Sequence, residues 1–143
     1  MMRAVTGVIT TVVAFTLVTA CAGEDAYCTA VKDQESTLNS LGEKRTTAAY
    51  QSYARAFRSV AKVSPAAVKK DWTELAEVTA SVLNAQDKAG IKLEDMTDQS
   101  EVKKLGTEQL KTLNNAYEAF NKTTPQRRAV VKNVKEECEI TLT

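Results

Sequence analysis

The chain has 143 residues, with 19 basic side chains, 18 acidic side chains and no histidine. This near balance of charge argues against a nucleic-acid-binding domain, and the missing histidine excludes catalytic triads, histidine-ligated metal sites and imidazole pH switches. Five glycines and two prolines favour helices over a turn-rich β fold.

The chain begins with a hydrophobic segment. Arg3 precedes an uncharged stretch from Ala4 to Ala20, a pattern typical of a signal peptide, which we predict at residues 1–20. An uncleaved membrane anchor is the alternative. The stretch is at the lower edge of the roughly 20 residues that span a bilayer, and no basic flank follows it. The pattern therefore favours cleavage.

The segment ends in Val18-Thr19-Ala20-Cys21, which resembles the bacterial lipobox. The resemblance implies cleavage after Ala20, attachment of diacylglycerol to Cys21 and N-acylation, with fatty acids such as palmitate. Each buried methylene contributes roughly 0.8 kcal/mol, so these chains would hold the protein at a membrane surface. The alternative is an ordinary secretory cleavage site before a cysteine. Residues 21–24 are then a lipidated tether, and residues 25–143 form the domain.

Two cysteines remain once Cys21 is assigned to lipid. An oxidising compartment favours a disulfide between Cys28 and Cys138, although free thiols or an intermolecular bond are alternatives. A metal site is not expected from two thiols without histidine, and no C-x-x-C motif suggests redox chemistry.

The first half of the domain predicts three helices. Asp25 is the expected N-cap of the first helix, which ends at Gly42. The second helix covers residues 46–63, where apolar residues recur at helical spacing: Tyr50, Tyr53, Ala54, Phe57, Val60 and Ala61. Ser64 is predicted to cap the third helix, with Pro65 in its first turn and its end at Gly90.

The second half predicts a connector and two further helices. Residues 91–99 form the connector, with at most one helical turn. Ser100 caps a fourth helix that continues through Gly106 to Phe120. The last helix begins at Thr124-Pro125 and turns Val131, Val134 and Cys138 inward. The predicted fold is therefore an all-α, four- to five-helix bundle closed by one disulfide.

Several motifs together resemble a class of small actinobacterial lipoproteins. They are the lipobox, Tyr27-Cys28 in the first helix, the helix start at residues 64–71 and the closing segment at residues 134–142. The resemblance implies a helical, disulfide-closed domain on the cell surface, without catalytic residues. Members often have glycine after the final cysteine, where this chain has Glu139, so the terminal turn is expected to differ.

Three groups of side chains are candidate sites. Phe57, Trp72 and Tyr117 would line a ligand groove, although aromatic residues at helical spacing are more often core. The basic pairs would contact anionic lipids or cell-wall polymers, or form a solvated face: Lys69-Lys70, Lys103-Lys104 and Arg127-Arg128. The acidic residues of the connector do not have the spacing of a calcium loop: Glu94, Asp95, Asp98 and Glu101. We predict no metal and no cofactor.

These observations favour a non-enzymatic binding module at the extracytoplasmic face of the cell membrane. Its expected partners are the membrane, through the N-terminal lipid, and an envelope protein or cell-wall component; nucleic acid is not expected. The alternative is a carrier or sensor of an apolar small molecule in a cavity between helices. A carboxylate-based cell-wall hydrolase is a third hypothesis, but no sequence pattern indicates the required pair of acids.

Overall fold

A computed structural model describes residues 22–143, so the predicted signal peptide at residues 1–20 and Cys21 lie outside the described residues. Residues 22–143 are all-helical, contain no strand and include one disulfide, Cys28–Cys138, which confirms the predicted fold class. The helices are α1 (Ala22–Asn39), α2 (Thr47–Val63), α3 (Ala66–Ala89), a 3₁₀ helix (Glu94–Thr97), α4 (Gln99–Val102), α5 (Thr107–Asn121) and α6 (Thr124–Cys138). Within this range no helix combines the length and hydrophobicity that crossing a membrane requires.

The long helix α3 is the centre of the bundle. It packs against α2, α5 and α6, while α1 packs against α2 and α6. The predicted apolar face of α2 is confirmed, because Tyr50, Tyr53, Phe57 and Val60 are all buried. In α6 the buried residues are Val130 and Val134, whereas Val131 is 37% exposed. The prediction for Val131 was wrong by one position, because the rotation of α6 depends on its neighbours.

The start and end of α1 differ from the prediction. The helix already includes Ala22, so Asp25 is not its N-cap, and the predicted tether residues 22–24 belong to the helix. It ends at Asn39, three residues before Gly42. Beyond this end, the carbonyl of Ser40 accepts a hydrogen bond from the hydroxyl of Tyr53 on α2. The same carbonyl accepts the Glu43 N–H at 3.1 Å, so it holds the turn after α1 together and also contacts α2.

Ser64 does not cap α3 as predicted, whereas α6 begins at Thr124-Pro125 as predicted, with Thr123 as its N-cap. Ser64 donates its hydroxyl to the carbonyl of Ala61 at 3.0 Å, so it completes α2, and Pro65 precedes α3. Thr123 is the residue before α6, and its hydroxyl donates to the carbonyl of Phe120 at 2.7 Å. In both short connections the buried hydroxyl satisfies a carbonyl of the preceding helix instead of an N–H of the next one.

The predicted fourth helix is divided at Gly106. The single-turn helix α4 is capped by Asp98, not by Ser100, since the Asp98 carboxylate accepts the Ser100 N–H at 2.7 Å. The helix α5 then begins after Gly106, whose N–H donates to the side chain of Gln109 at 2.8 Å. Glycine is about 1 kcal/mol worse than alanine inside a helix, so a new helix start is favoured at this residue.

The turn after α6 has a left-handed backbone at a residue other than glycine. Glu139 has φ +57°, and the chain then returns so that Leu142 is buried and the Thr143 N–H donates to the Asn39 side chain at 2.9 Å. The left-handed conformation costs a residue with a side chain about 1–2 kcal/mol, and the loss of backbone entropy for glycine offsets part of this.

Glu139→Gly is therefore expected to raise the free energy of unfolding by about 0.5–1 kcal/mol. Urea denaturation followed by circular dichroism measures the change. Glu136→Gly is the matched control: it removes the same side chain from an exposed site inside α6, and it should lower stability by about 1 kcal/mol. A loss of stability in Glu139→Gly would contradict backbone strain at Glu139.

Candidate functional site

A groove with a volume of about 560 Å³ on the described part of the chain combines an apolar floor with positive charge. We call it the basic groove. Its apolar residues come from α1 and the turn after it, α2, α3, α6 and the C-terminal tail: Leu38, Leu41, Phe57, Trp72, Leu75, Val130, Val131 and Leu142. Its basic residues all belong to α6: Arg127, Arg128, Lys132 and Lys135. Thr143 completes the lining.

Two of the three residues predicted to line a groove meet beneath this floor. The rings of Phe57 and Trp72 have centroids 6.1 Å apart, and Trp72 is fully buried. Tyr117 does not line the basic groove. Its hydroxyl accepts a hydrogen bond from Gln86 at 3.3 Å, and burial raises the pKa of Tyr117 to about 12. Gln86 lies about 21 Å along α3 from Trp72, so α5 contacts a different part of α3.

A buried chain of hydrogen bonds holds the floor together. The Trp72 Nε1–H donates to the Tyr27 hydroxyl at 3.1 Å, and the Tyr27 hydroxyl donates to Asn133 Oδ1 at 3.0 Å. Burial raises the pKa of Tyr27, which keeps the hydroxyl protonated and able to donate. The chain joins α3, α1 and α6. Sequence reasoning missed it because Asn133 has no spacing that links it to Tyr27.

Tyr27→Phe is expected to lower the free energy of unfolding by about 1–3 kcal/mol, because it leaves the Trp72 N–H and the Asn133 carbonyl without their partner. Chemical denaturation measures this loss. Tyr50→Phe is the control, since Tyr50 is also buried but its hydroxyl forms no hydrogen bond with residues 26–143. Equal losses in the two variants would argue against a special contribution from Tyr27.

All four basic residues that line the groove belong to α6. Arg127 donates to the hydroxyl of Thr123 at 3.1 Å and to the carbonyl of Phe120 at 2.9 Å, and its guanidinium lies 4.7 Å from the centre of the Phe120 ring. Burial lowers the pKa of Arg127, yet a guanidinium stays protonated at neutral pH. Lys132 forms an exposed ion pair with Glu136 at 3.8 Å, which contributes little to stability.

Three of the four acidic residues of the connector have structural partners: Glu94, Asp98 and Glu101. Glu94 accepts the Thr47 N–H at 2.9 Å and so ties the connector to α2, and Asp98 caps α4. These hydrogen bonds lower the pKa of both carboxyl groups. In residues 22–143 no three cysteine or acidic side chains are placed to hold a metal ion. Of the predicted basic pairs, Arg127-Arg128 borders the basic groove, whereas Lys104 pairs with Glu101.

No protein family, curated protein or solved structure matches the chain. Residues 22–143 form a helical, disulfide-closed domain, and the basic groove is a concave surface that is apolar below and basic along one side. Such a surface is suited to binding a molecule with an apolar body and a negative group, because apolar contacts supply area and arginine or lysine supplies orientation.

Proposed function

We propose that the protein is a lipid-anchored lipoprotein at the extracytoplasmic face of the cell membrane, of the actinobacterial type, and that it is a non-enzymatic binding module of the envelope. The signal-peptide pattern and Cys21 support the anchor. The Cys28–Cys138 disulfide supports export, since such bonds form and persist in oxidising compartments. An envelope protein or cell-wall component is the proposed partner.

The basic groove is the observation that carries the binding function. Val131 in the groove is 37% exposed, a large exposure for a valine beside buried aromatic residues. The groove includes Leu38, which lies about 24 Å along α1 from Ala22. The Leu38 end of the groove is therefore far along α1 from a lipid on Cys21, whereas Trp72 in the floor is hydrogen-bonded to Tyr27 near the start of α1.

A carrier of an apolar small molecule is the second candidate function. The volume of about 560 Å³ favours it, because small-molecule sites span roughly 300–1,000 Å³. Both functions use the same groove, so the identity of the occupant distinguishes them.

Cys21→Ala tests the anchor. Metabolic labelling with a fatty acid should be lost in this variant, and the chain should be released from the membrane or stall as a precursor. Thr19→Ala keeps the lipobox pattern and should still be labelled. Unchanged membrane attachment of Cys21→Ala would refute the lipid anchor.

Native mass spectrometry of the lipoprotein purified from its source membrane tests the groove. We expect a reproducible bound mass that Val131→Asp removes, because a carboxylate on the apolar wall disfavours an apolar or anionic occupant. Val63→Asp is a matched control: Val63 is also 37% exposed but lies outside the groove. A bound protein favours the interaction module, and a bound small molecule favours the carrier. Both proposed functions would be contradicted if the wild-type protein carried no bound mass, or if the bound mass remained in Val131→Asp.

A further inference from the structure

The basic groove has charge of one sign only. Its lining includes Arg127, Arg128, Lys132 and Lys135, and no aspartate or glutamate. Among the side chains of residues 26–143, Lys132 is the member of this group that forms an ion pair with a carboxylate, and that pair is exposed. An occupant that brings negative charge would therefore neutralise cations that the described domain leaves largely unneutralised.

The floor sets a second requirement for the occupant. Leu41 in the turn after α1 and Val131 on α6 are the apolar lining residues that stay partly exposed beside the charges, and they lie over buried Leu38 and Leu142. A small polar anion would leave this apolar surface in contact with water. An uncharged lipid would cover the apolar surface but would leave the cations without a partner. An anion with an apolar chain would both neutralise the cations and cover the apolar floor.

The number and kind of basic groups favour phosphate over carboxylate. Arginine forms paired hydrogen bonds to phosphate oxygens, and lysine adds a point charge. A phosphate monoester carries up to two negative charges, which suits several adjacent cations better than the single charge of a fatty acid does. We propose, on the basis of the binding function above, that the basic groove binds a single-chain lipid phosphate, with its acyl chain on the floor and its phosphate against Arg128, Lys132 and Lys135.

The experiment uses the anchored lipoprotein in phosphatidylcholine vesicles that contain oleoyl lysophosphatidic acid. Trp72 is the single tryptophan of the chain and lies beneath the floor, so its fluorescence reports occupation of the groove. Monoolein has the same acyl chain with a hydroxyl in place of the phosphate, and dioleoyl phosphatidic acid has the same phosphate with two chains. We expect a saturable change with lysophosphatidic acid at a concentration at least tenfold below that needed for either comparison lipid.

Two pairs of charge reversals test the role of the cations. Arg128→Glu/Lys135→Glu should weaken the response to lysophosphatidic acid at least tenfold and leave the response to monoolein unchanged. Lys103→Glu/Lys111→Glu changes the net charge equally at exposed sites outside the groove, and it should leave both responses unchanged.

The outcomes separate this inference from the proposed function. An equal response to monoolein, or no effect of Arg128→Glu/Lys135→Glu, would overturn the phosphate contact. An equal response to phosphatidic acid would indicate contact with a charged bilayer and would overturn a single-chain site. In each case a bound mass that depends on Val131 would still support a binding groove. Loss of that dependence would refute the groove itself.

Discussion

Replacement of both Cys28 and Cys138 by serine is expected to lower the free energy of unfolding by about 4–5 kcal/mol. The two Cα atoms are 5.3 Å apart, although the residues are separated by 110 positions in the sequence. The bond joins α1 to the end of α6, so it restrains almost the whole described domain in its unfolded state. Small domains have a total stability of about 5–15 kcal/mol, so the variant would retain little margin.

Urea denaturation of the oxidised wild type and of the double variant measures this effect. Reduction of the wild type with dithiothreitol is the control and should reproduce the shift, while the double variant should be insensitive to the reductant. A loss below about 1 kcal/mol would contradict the entropic contribution expected for so long a loop.

Trp72→Ala is expected to destabilise the domain by about 3–5 kcal/mol, the range for removal of a large buried aromatic residue. Trp72 is fully buried and packs against Phe57, and its N–H is paired with Tyr27. The variant therefore loses ring contacts and leaves part of the hydrogen-bond chain unpaired. Thermal and chemical denaturation report the loss, and a decrease below about 1 kcal/mol would contradict the central position of Trp72.

Trp72→Phe keeps the test interpretable if Trp72→Ala does not fold. It retains a ring but removes the N–H, and it is expected to cost about 1–3 kcal/mol. Combined with Tyr27→Phe, it gives a double-mutant cycle. The two losses should not be additive, because both variants break the same Trp72–Tyr27 hydrogen bond. Simple additivity would argue that this bond contributes nothing to stability.

Features that depend on residues close together in the sequence were predicted well. The structure confirms the bounds of α2 within one residue, and it confirms the end of α3 at Gly90, where φ is +69°. A capping residue, a helical repeat and a glycine act over a few residues, so the local sequence specifies them. The predictions failed at Ser64 and Gly106, where two helices meet. A hydroxyl at such a place can hydrogen-bond to either helix, and a glycine can interrupt a helix or precede a new one.

The sequence by itself determined the helical class through its periodicity, and it predicted the pairing of Cys28 with Cys138 once Cys21 was assigned to lipid; the structure confirms both the class and the bond. The lipid on Cys21 is likewise a prediction from the sequence, and it awaits the labelling experiment. Only the tertiary structure decided that Phe57 and Trp72 lie beside the basic residues of α6, and that Tyr117 does not. An apolar pattern indicates that a side chain faces inward, but the rotation and crossing of packed helices decide which side chains it meets.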